Sequence, residues 1–324
     1  MLRAGVEAEP AQARVITSPA VRLALLVNST ASKVTAADCA EVRDVLLAEH
    51  TVDVLQTKRP HHATALAREA ADSGYDVVAV LAGDGTLNEA ANGLATTDTA
   101  LAPLPGGSTN VYARTLGISL SPMAAAAQLL ASLRRRSSLR TGLGVANGRR
   151  FLFHCGIGFD AAVIKRVERR RPLKRYFAHP LYVAAALDTW FRHYDRRRQR
   201  FDVRLPSGET VTDAGFAIVS KTSPYTYLGR RGLRIAPEAG LDTALSVNAF
   251  QAMDAVTLLG GASSAMLSGR FLASRPGVVH RSGLTGLEIT ATRPFPYQVD
   301  GDFVAIATTL ELAYEPECLD LIVP

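Results

Sequence analysis

The stretch Asp76–Leu94, DVVAVLAGDGTLNEAANGL, passes from an apolar run through a glycine-aspartate-glycine turn into a helix-forming segment. An apolar run of strand length, closed by glycine and followed by a helical pattern, reads as a strand buried on both faces, and such strands belong to parallel sheets covered by helices. The same alternation continues on either side. LALLVN (Leu23–Asn28) reads as a strand, Ala36–Ala48 as an amphipathic helix, VDVLQT (Val52–Thr57) as a strand and His62–Ser73 as a helix; Thr86–Leu94 is the next helix and ALAPLP (Ala100–Pro105) a fourth strand. Strand and helix alternating through short connections predict an α/β domain, whose ligands bind at the carboxyl ends of the strands.

After Arg140 the texture changes. GRRFLFHCGIGF, RFDVRLPSG, GFAIVSK, GLRIAPEA, ALSVNAFQA, GVVHRSG and GLEITATR are short β-rich runs, most of them bounded by Gly, Pro or Asp, and they predict a β-rich antiparallel sandwich. The expected division is a disordered tail over residues 1–19, an α/β domain over 20–141 and a second domain over 142–304, interrupted by a helical insertion at 160–200.

With 324 residues, 48% of them hydrophobic, the chain can bury the core of two domains. No apolar run reaches membrane-span length and the N-terminus carries no apolar signal core, so a cytoplasmic protein is expected. Cys39, Cys155 and Cys318 are widely separated and form no CxxC pair, which argues for free thiols over a disulfide framework or a zinc site. The net charge of +6 is local: residues 165–200 hold 12 Lys/Arg against 3 Asp/Glu, a surplus of +9 that leaves the rest of the chain at −3. One positive patch suits phosphates or an anionic membrane better than general nucleic-acid coating.

Four loops of the first half lie where a strand ends: NSTASK (Asn28–Lys33), Thr57–His62, AGDGT (Ala82–Thr86) and PGGSTN (Pro105–Asn110). Each offers small residues and free backbone N–H groups, and the third and fourth open helices, which is what a polyphosphate requires. One glycine-rich turn could merely reverse the chain; four on one edge favour a ligand. Gly83 and Gly85 let backbone approach a phosphate, while Asp84 could orient magnesium or accept a proton from a hydroxyl. An aspartate before a helix is also a common N-cap, and both readings stay open here.

These motifs together resemble a family. AGDGTLNEAANGL is similar to the GGDGT-LNE signature of the lipid kinase superfamily, which comprises the diacylglycerol kinases and the sphingosine and ceramide kinases. PGGSTNVYARTLG (Pro105–Gly117), VNSTAS, FHCGIGFDAAV, GLRIAPEAGLD and VDGD (Val299–Asp302) stand in order where that superfamily has its further motifs. GGDG alone would also fit NAD kinases and phosphofructokinases, which share the N-terminal architecture. The resemblance implies an ATP-dependent kinase with nucleotide between two domains, and a final strand, ELAYEPECLDLIVP, that returns residues 305–324 to the first. It further implies that Asn28, Ser29, Thr30, Ala31 and Ser32 meet the nucleotide with Thr57 beside the phosphates. Gly83, Asp84, Gly85, Thr86, Leu87, Asn88 and Glu89 would form the central loop, with Ser108 in place of the usual threonine.

A lipid hydroxyl is a poor nucleophile with a proton to lose, so a nearby carboxylate is the natural base. Asp302 occupies the place of the superfamily's glutamate base, one methylene shorter; Asp84 is its rival, and an aspartate in a DGD hairpin is the plain alternative for Asp302. Other departures are Asn110-Val111-Tyr112 for NDF, Leu241-Asp242-Thr243-Ala244 for LDDG, and His154 for an asparagine. The second removes an acid from a site that holds magnesium in some bacterial members, leaving Asp242 and backbone carbonyls as the candidate Mg2+ ligands. His154 beside Cys155 reads as packed rather than as a metal ligand, since no ligand-spaced partner follows.

Residues 165–200 place basic ends around an apolar middle with Trp190, Phe191 and Tyr194. Adsorption to anionic phospholipid at the inner membrane face and a core helix with solvated arginine flanks are both consistent with that pattern. The leading expectation is a lipid kinase acting on diacylglycerol. A kinase of a sphingoid lipid, ceramide or NAD and a non-catalytic nucleotide- or lipid-binding regulator are the alternatives, and the sequence leaves a homodimer open.

Overall fold

A computed structural model describes residues 20–28, 34–168, 188–189, 200–270, 272 and 274–324. The expected tail at 1–19, most of the NSTASK loop and nearly all of the basic insertion beyond Glu168 lie outside the described residues.

The chain opens with β1 (Arg22–Val27), α1 (Ala36–Leu47), β2 (Thr51–Gln56), α2 (His62–Asp72), β3 (Val77–Ala82), α3 (Asp84–Leu94) and β4 (Ala100–Pro105). The four strands are parallel, in the order β4, β3, β1, β2. Burial follows that order: β3 and β4 are buried at every residue and β1 at all but Arg22, whereas β2, at the sheet's edge, has only exposed and half-buried positions. α1 begins in a reciprocal cap, Thr35 Oγ1 accepting from Asp38 N while Asp38 Oδ2 accepts from Thr35 N. Buried aliphatic clusters cover both faces of the sheet, one around Leu26, Val80 and Leu94 and the other around Leu25, Leu81 and Leu104.

Pro103 and Pro105 are unusual in so buried a strand, because proline has no N–H to donate. The ladder explains them. Ala100 N donates to Asp76 O and Gly106 N to Ala82 O, so the even positions of β4 bond to β3 and the odd positions face the other way. On that other side the neighbouring strand meets β4 only at Leu101. The two prolines stand past the point where a partner would need their missing donors.

Two helices follow: α4 (Val111–Thr115), opened by the PGGSTN loop, and α5 (Pro122–Arg135), which the sequence pattern did not announce and which is capped by Ser121 with proline in its first turn. The antiparallel region then contains β5 (Ser138–Ala146), β6 (Arg149–Phe151), β7 (His154–Gly158), α6 (Phe159–Glu168), β8 (Phe201–Arg204), β9 (Thr210–Ala214), β10 (Phe216–Ser220), β11 (Thr226–Leu228), β12 (Arg231–Leu233), β13 (Leu245–Phe250), α7 (Ala255–Leu267), β14 (Val278–Leu284), β15 (Gly286–Val299) and β16 (Asp302–Ile322). GLRIAPEA supplies only the end of β12, and α7 lies between the β-rich runs ALSVNAFQA and GVVHRSG, over residues to which the sequence pattern assigned no element.

Two long strands knit the layers together. β15 pairs with β8 through Glu288–Thr290 and with β7 through Tyr297–Val299, changing partners across an irregularity between Thr290 and Phe295. The aromatic and aliphatic core around Phe151, Phe201, Phe295 and Val299 lies between the layers so formed. β16 leaves β15, runs antiparallel to β5 and ends parallel to β4, so one hydrogen-bonded path joins the α/β and antiparallel regions.

Candidate active site

Because β1 to β4 are parallel and in register, the loops after them emerge at one edge. Gly106 and Gly107 press against the neighbouring loop so closely that a Cβ on Gly107 would stand 2.7 Å from the Cα of Gly83, and one on Gly106 2.8 Å from Ala82 N. Glycine is demanded here by contact between two backbones. Asn110 closes the PGGSTN loop on itself: its Oδ1 accepts from Gly107 N at 2.7 Å and its Nδ2 donates to Gly107 O at 3.0 Å. Its left-handed backbone, φ 49°, is one asparagine tolerates well.

Asp84 joins the two loops. Its Oδ2 accepts from Val111 N at 2.9 Å and its Oδ1 from Tyr112 N at 3.2 Å, so one carboxylate caps the N-terminus of α4 while standing in the first turn of α3. Burial pushes its pKa up and these two donors pull it back. A cavity of about 10 Å³ bordered by Asp84, Gly83, Pro105 and Asn110 has room for roughly one water, too little for a nucleotide.

Around this pair the other candidate residues divide by position. Asn28 donates to Thr86 Oγ1 at 2.9 Å, bringing the β1 and β3 loops together. Thr57, at the end of β2, is buried, and its N–H donates to Val27 O. Ser108 is exposed on the fourth loop, Leu87 is buried in the sheet-facing cluster, and Ser29, Thr30, Ala31 and Ser32 lie outside the described residues. Glu89 points away to α2, where its two oxygens accept from His61 N and Ala63 N. It caps that helix, which lacks a side-chain cap of its own.

The antiparallel region brings the second carboxylate. Asp300 and Gly301, with φ of 50° and 85°, form the two-residue turn between β15 and β16, the conformation Asp-Gly favours in hairpins. Asp302 follows as the first residue of β16. Its Oδ2 lies 3.5 Å from where a Cβ on Gly85 would stand and 3.5 Å from Arg149 Nη2, and its side chain is 44% exposed. An acid, a guanidinium and the glycine turn therefore share one open junction.

Four side chains that sequence reasoning did not assign hold this turn. Asp300 accepts from Leu152 N, Phe153 N and His154 N at 2.8–3.0 Å and from Asn88 Nδ2 at 2.8 Å, which ties the turn to β7 and to α3 together. Burial pushes its pKa up to about 7 against those four donors. Gln298 accepts from Gly301 N and donates to Asp160, and Tyr225 donates to the same carboxylate at 2.6 Å. The repeated Asp-Gly-Asp was the available signal for Asp300; Gln298 and Asp160 carried none beyond motif position.

His154 is buried, packed 4.0 Å from the Tyr225 ring between centroids, and its Nδ1 has no hydrogen-bond partner. Burial lowers its pKa to about 3. Above pH 6.5 the ring is neutral whether the chain is folded or not. As the pH falls from 6.5 toward 3 the unfolded chain takes up a proton that the folded ring refuses, so stability falls, with a slope approaching about 1.4 kcal/mol per pH unit. His154→Asn should flatten this acid limb in denaturant titrations run across the window; an unchanged limb would assign it to other groups.

Asp242 is exposed, and the carbonyls beside it are already engaged. Gly240 O accepts from Lys221 Nζ at 2.8 Å and from Thr243 Oγ1 at 3.2 Å; Leu241 O accepts from Lys221 Nζ at 3.1 Å and from Thr141 Oγ1 at 2.5 Å. A carbonyl has two lone pairs, so neither oxygen has one left, and a divalent ion would stand against a fixed ammonium. Burial lowers the Lys221 pKa to about 8, which leaves it charged at neutral pH. The residues present do not fit the magnesium site expected at Asp242, and among the described residues no cluster of three His, Cys, Asp or Glu side chains could hold a metal.

Residues 22–141 match the diacylglycerol kinase catalytic domain. A "Diacylglycerol kinase" of Bacillus subtilis is 38% identical over 98 residues, 30% of this chain and 31% of that protein. A "Probable lipid kinase YegS-like" of Pseudomonas aeruginosa is 34% identical over 138 residues, 42% of this chain and 43% of that protein. The chain thus aligns with about a third to two-fifths of the length of these curated relatives. Crystal structures from Bacillus anthracis str. Sterne share the fold: a candidate diacylglycerol kinase superposes with a TM-score of 0.75 at 21% identity, covering 95% of this chain and 96% of that one. A second, a diacylglycerol kinase, gives 0.67 at 20% identity, with 94% and 97% covered. Over residues 22–141 the chain thus matches the diacylglycerol kinase catalytic domain in sequence, and over nearly its whole length it shares the fold of these solved structures.

Proposed function

We propose that this chain is an ATP-dependent lipid kinase that transfers the γ-phosphoryl group to a lipid hydroxyl, with diacylglycerol as the leading acceptor and phosphatidic acid as the product. The observation that carries the reading is the approach of Asp302 to Gly85, which sets a half-exposed carboxylate against the glycine turn. ATP would enter as its magnesium complex, the ion bound by the nucleotide's own phosphates. Its phosphates would lie along the open side of the loops after β1, β3 and β4, where α3 begins without a side-chain cap and its first N–H groups can meet an anion. Asn28 and the exposed Ser108 border the same edge.

The chemistry asks little of the protein beyond placement and a base. The acceptor oxygen forms a bond to the γ-phosphorus as the bond to the bridging oxygen of ADP breaks, and Asp302 takes the hydroxyl proton. Arg149 keeps positive charge beside the carboxylate and the transferring group. Asp84, with both oxygens engaged by α4, positions the loops and is less suited to accept a proton.

Among the described residues no helix is long and apolar enough to cross a membrane. In this reading the protein meets its lipid from the cytoplasmic side, as a peripheral enzyme, and the basic segment 165–200 supplies contact with anionic headgroups.

Labelled ATP supplied with mixed micelles of diacylglycerol, monoacylglycerol, ceramide or sphingosine, and separately with NAD, is expected to label diacylglycerol most. Label on NAD alone would move the acceptor out of the lipid class. ATP binding with no transfer to any acceptor would leave a nucleotide-binding regulator.

A further inference from the structure

We propose that Lys221 is the resident cation of the carbonyl cradle formed by Gly240 and Leu241, so that a covalently tethered ammonium performs the structural work of a bound divalent ion and the fold needs no metal there. This does not rest on the catalytic reading. Lys221 follows β10, is 1% exposed, and sends its Nζ to both carbonyls. Asp242 lies close enough to contribute opposite charge, and the Tyr314 ring lies 5.5 Å from the Nζ. A buried ammonium is tolerated only when its donors find acceptors and its charge a counterpart; two carbonyls, an aromatic face and a nearby carboxylate meet both needs.

What the cation joins gives it importance. Thr141, from the start of the antiparallel region, donates to Leu241 O, and Leu241 packs against the cluster under the α/β sheet. Tyr314 belongs to β16, and its ring lies where a side chain on Gly142 would otherwise stand. The backbone N–H groups of Lys221 and Thr222 both donate to Phe153 O. Phe153 N, one peptide away, donates to Asp300. The ammonium thus holds the 240–243 turn, β5, β16 and the strand behind the Asp300 hub in one arrangement. Lys221 is a positioning residue, acting through Phe153 and the turn rather than on any substrate.

The test uses the full chain without nucleotide. Thermal midpoints are measured for the parent, Lys221→Met and Lys221→Arg, each with excess EDTA and with millimolar MgCl2 or CaCl2. The parent should melt at the same temperature in all three solutions. Lys221→Met, similar in volume but uncharged, should melt roughly 5–10 °C lower, having lost two charge-assisted hydrogen bonds, and Lys221→Arg should recover part of the loss. A parent whose midpoint drops on chelation, with the drop abolished by Asp242→Asn, would show that a metal holds the cradle and overturn the proposal. So would a Lys221→Met protein as stable as the parent. If Lys221→Met does not fold, the chelation series on the parent, repeated with Asp242→Asn, decides alone.

Discussion

Asp302→Asn is expected to lower kcat for lipid phosphorylation by roughly 10²- to 10⁴-fold, the usual worth of a positioned general base, while ATP affinity and the thermal midpoint stay close to the parent's. The small effect on stability follows from the site. The carboxylate is 44% exposed, its ion pair with Arg149 spans 3.5 Å, and pairs of that kind contribute about 0–1 kcal/mol. Asparagine keeps the shape of the side chain at the start of β16 and removes only the capacity to take a proton. Asp84→Asn should behave differently, because its two oxygens receive Val111 N and Tyr112 N. An amide there retains one acceptor and turns an NH₂ group toward the other N–H, so α4 loses part of its cap and the loops on which phosphates would lie shift apart. Its signature is a raised KM for ATP together with a lower melting temperature. A fully active, well-folded Asp302→Asn enzyme beside an inactive but equally stable Asp84→Asn enzyme would reverse the two roles.

The contrast between those carboxylates shows what a sequence can and cannot carry. The α/β region was legible because its signals are local: apolar runs of strand length, helical periodicity and glycine turns repeat every few residues, and the observed strand limits differ by at most one residue from those read off the chain. The same holds for Asp300-Gly301, whose turn chemistry lies in two adjacent residues. Roles created by tertiary contact left no such trace. Glu89 sits inside the GDGT-LNE run, yet its carboxylate serves α2, a helix whose own first position offers no cap. Asp84 was open between cap and ligand, and the structure makes it a cap for a helix 27 residues away rather than for its own. Lys221 could not be read at all, since one lysine at the end of an apolar strand looks like a solvated terminus until Gly240 and Leu241 are brought beneath it. α7 escaped for a compositional reason: AVTLLGGASSAML is apolar nearly all round, with two glycines, so neither helical nor strand periodicity stands out.

Asp300→Ala is expected to destabilise the protein by roughly 3–5 kcal/mol, a large part of the 5–15 kcal/mol that holds a typical domain. Three consecutive backbone N–H groups, those of Leu152, Phe153 and His154, point at this carboxylate, and Asn88 Nδ2 makes a fourth donor. Alanine offers none of them an acceptor, and each buried donor left unmet costs about 1–3 kcal/mol unless water enters. Asn88 is 2% exposed and also donates to Arg150 O, so its amide cannot turn toward solvent without breaking a second contact. Asp300→Asn should recover little, because its NH₂ would face donors. In urea titrations both variants should show a lower midpoint with the slope of the transition unchanged, which separates lost stability from an altered unfolded state. Activity should fall further than the folded fraction explains, since Asp302 stands two residues along the same hairpin and depends on it for its approach to Gly85. An Asp300→Ala protein with the parent's midpoint would mean that the four donors are satisfied by water, and that the turn is held instead through Gln298 and Asp160.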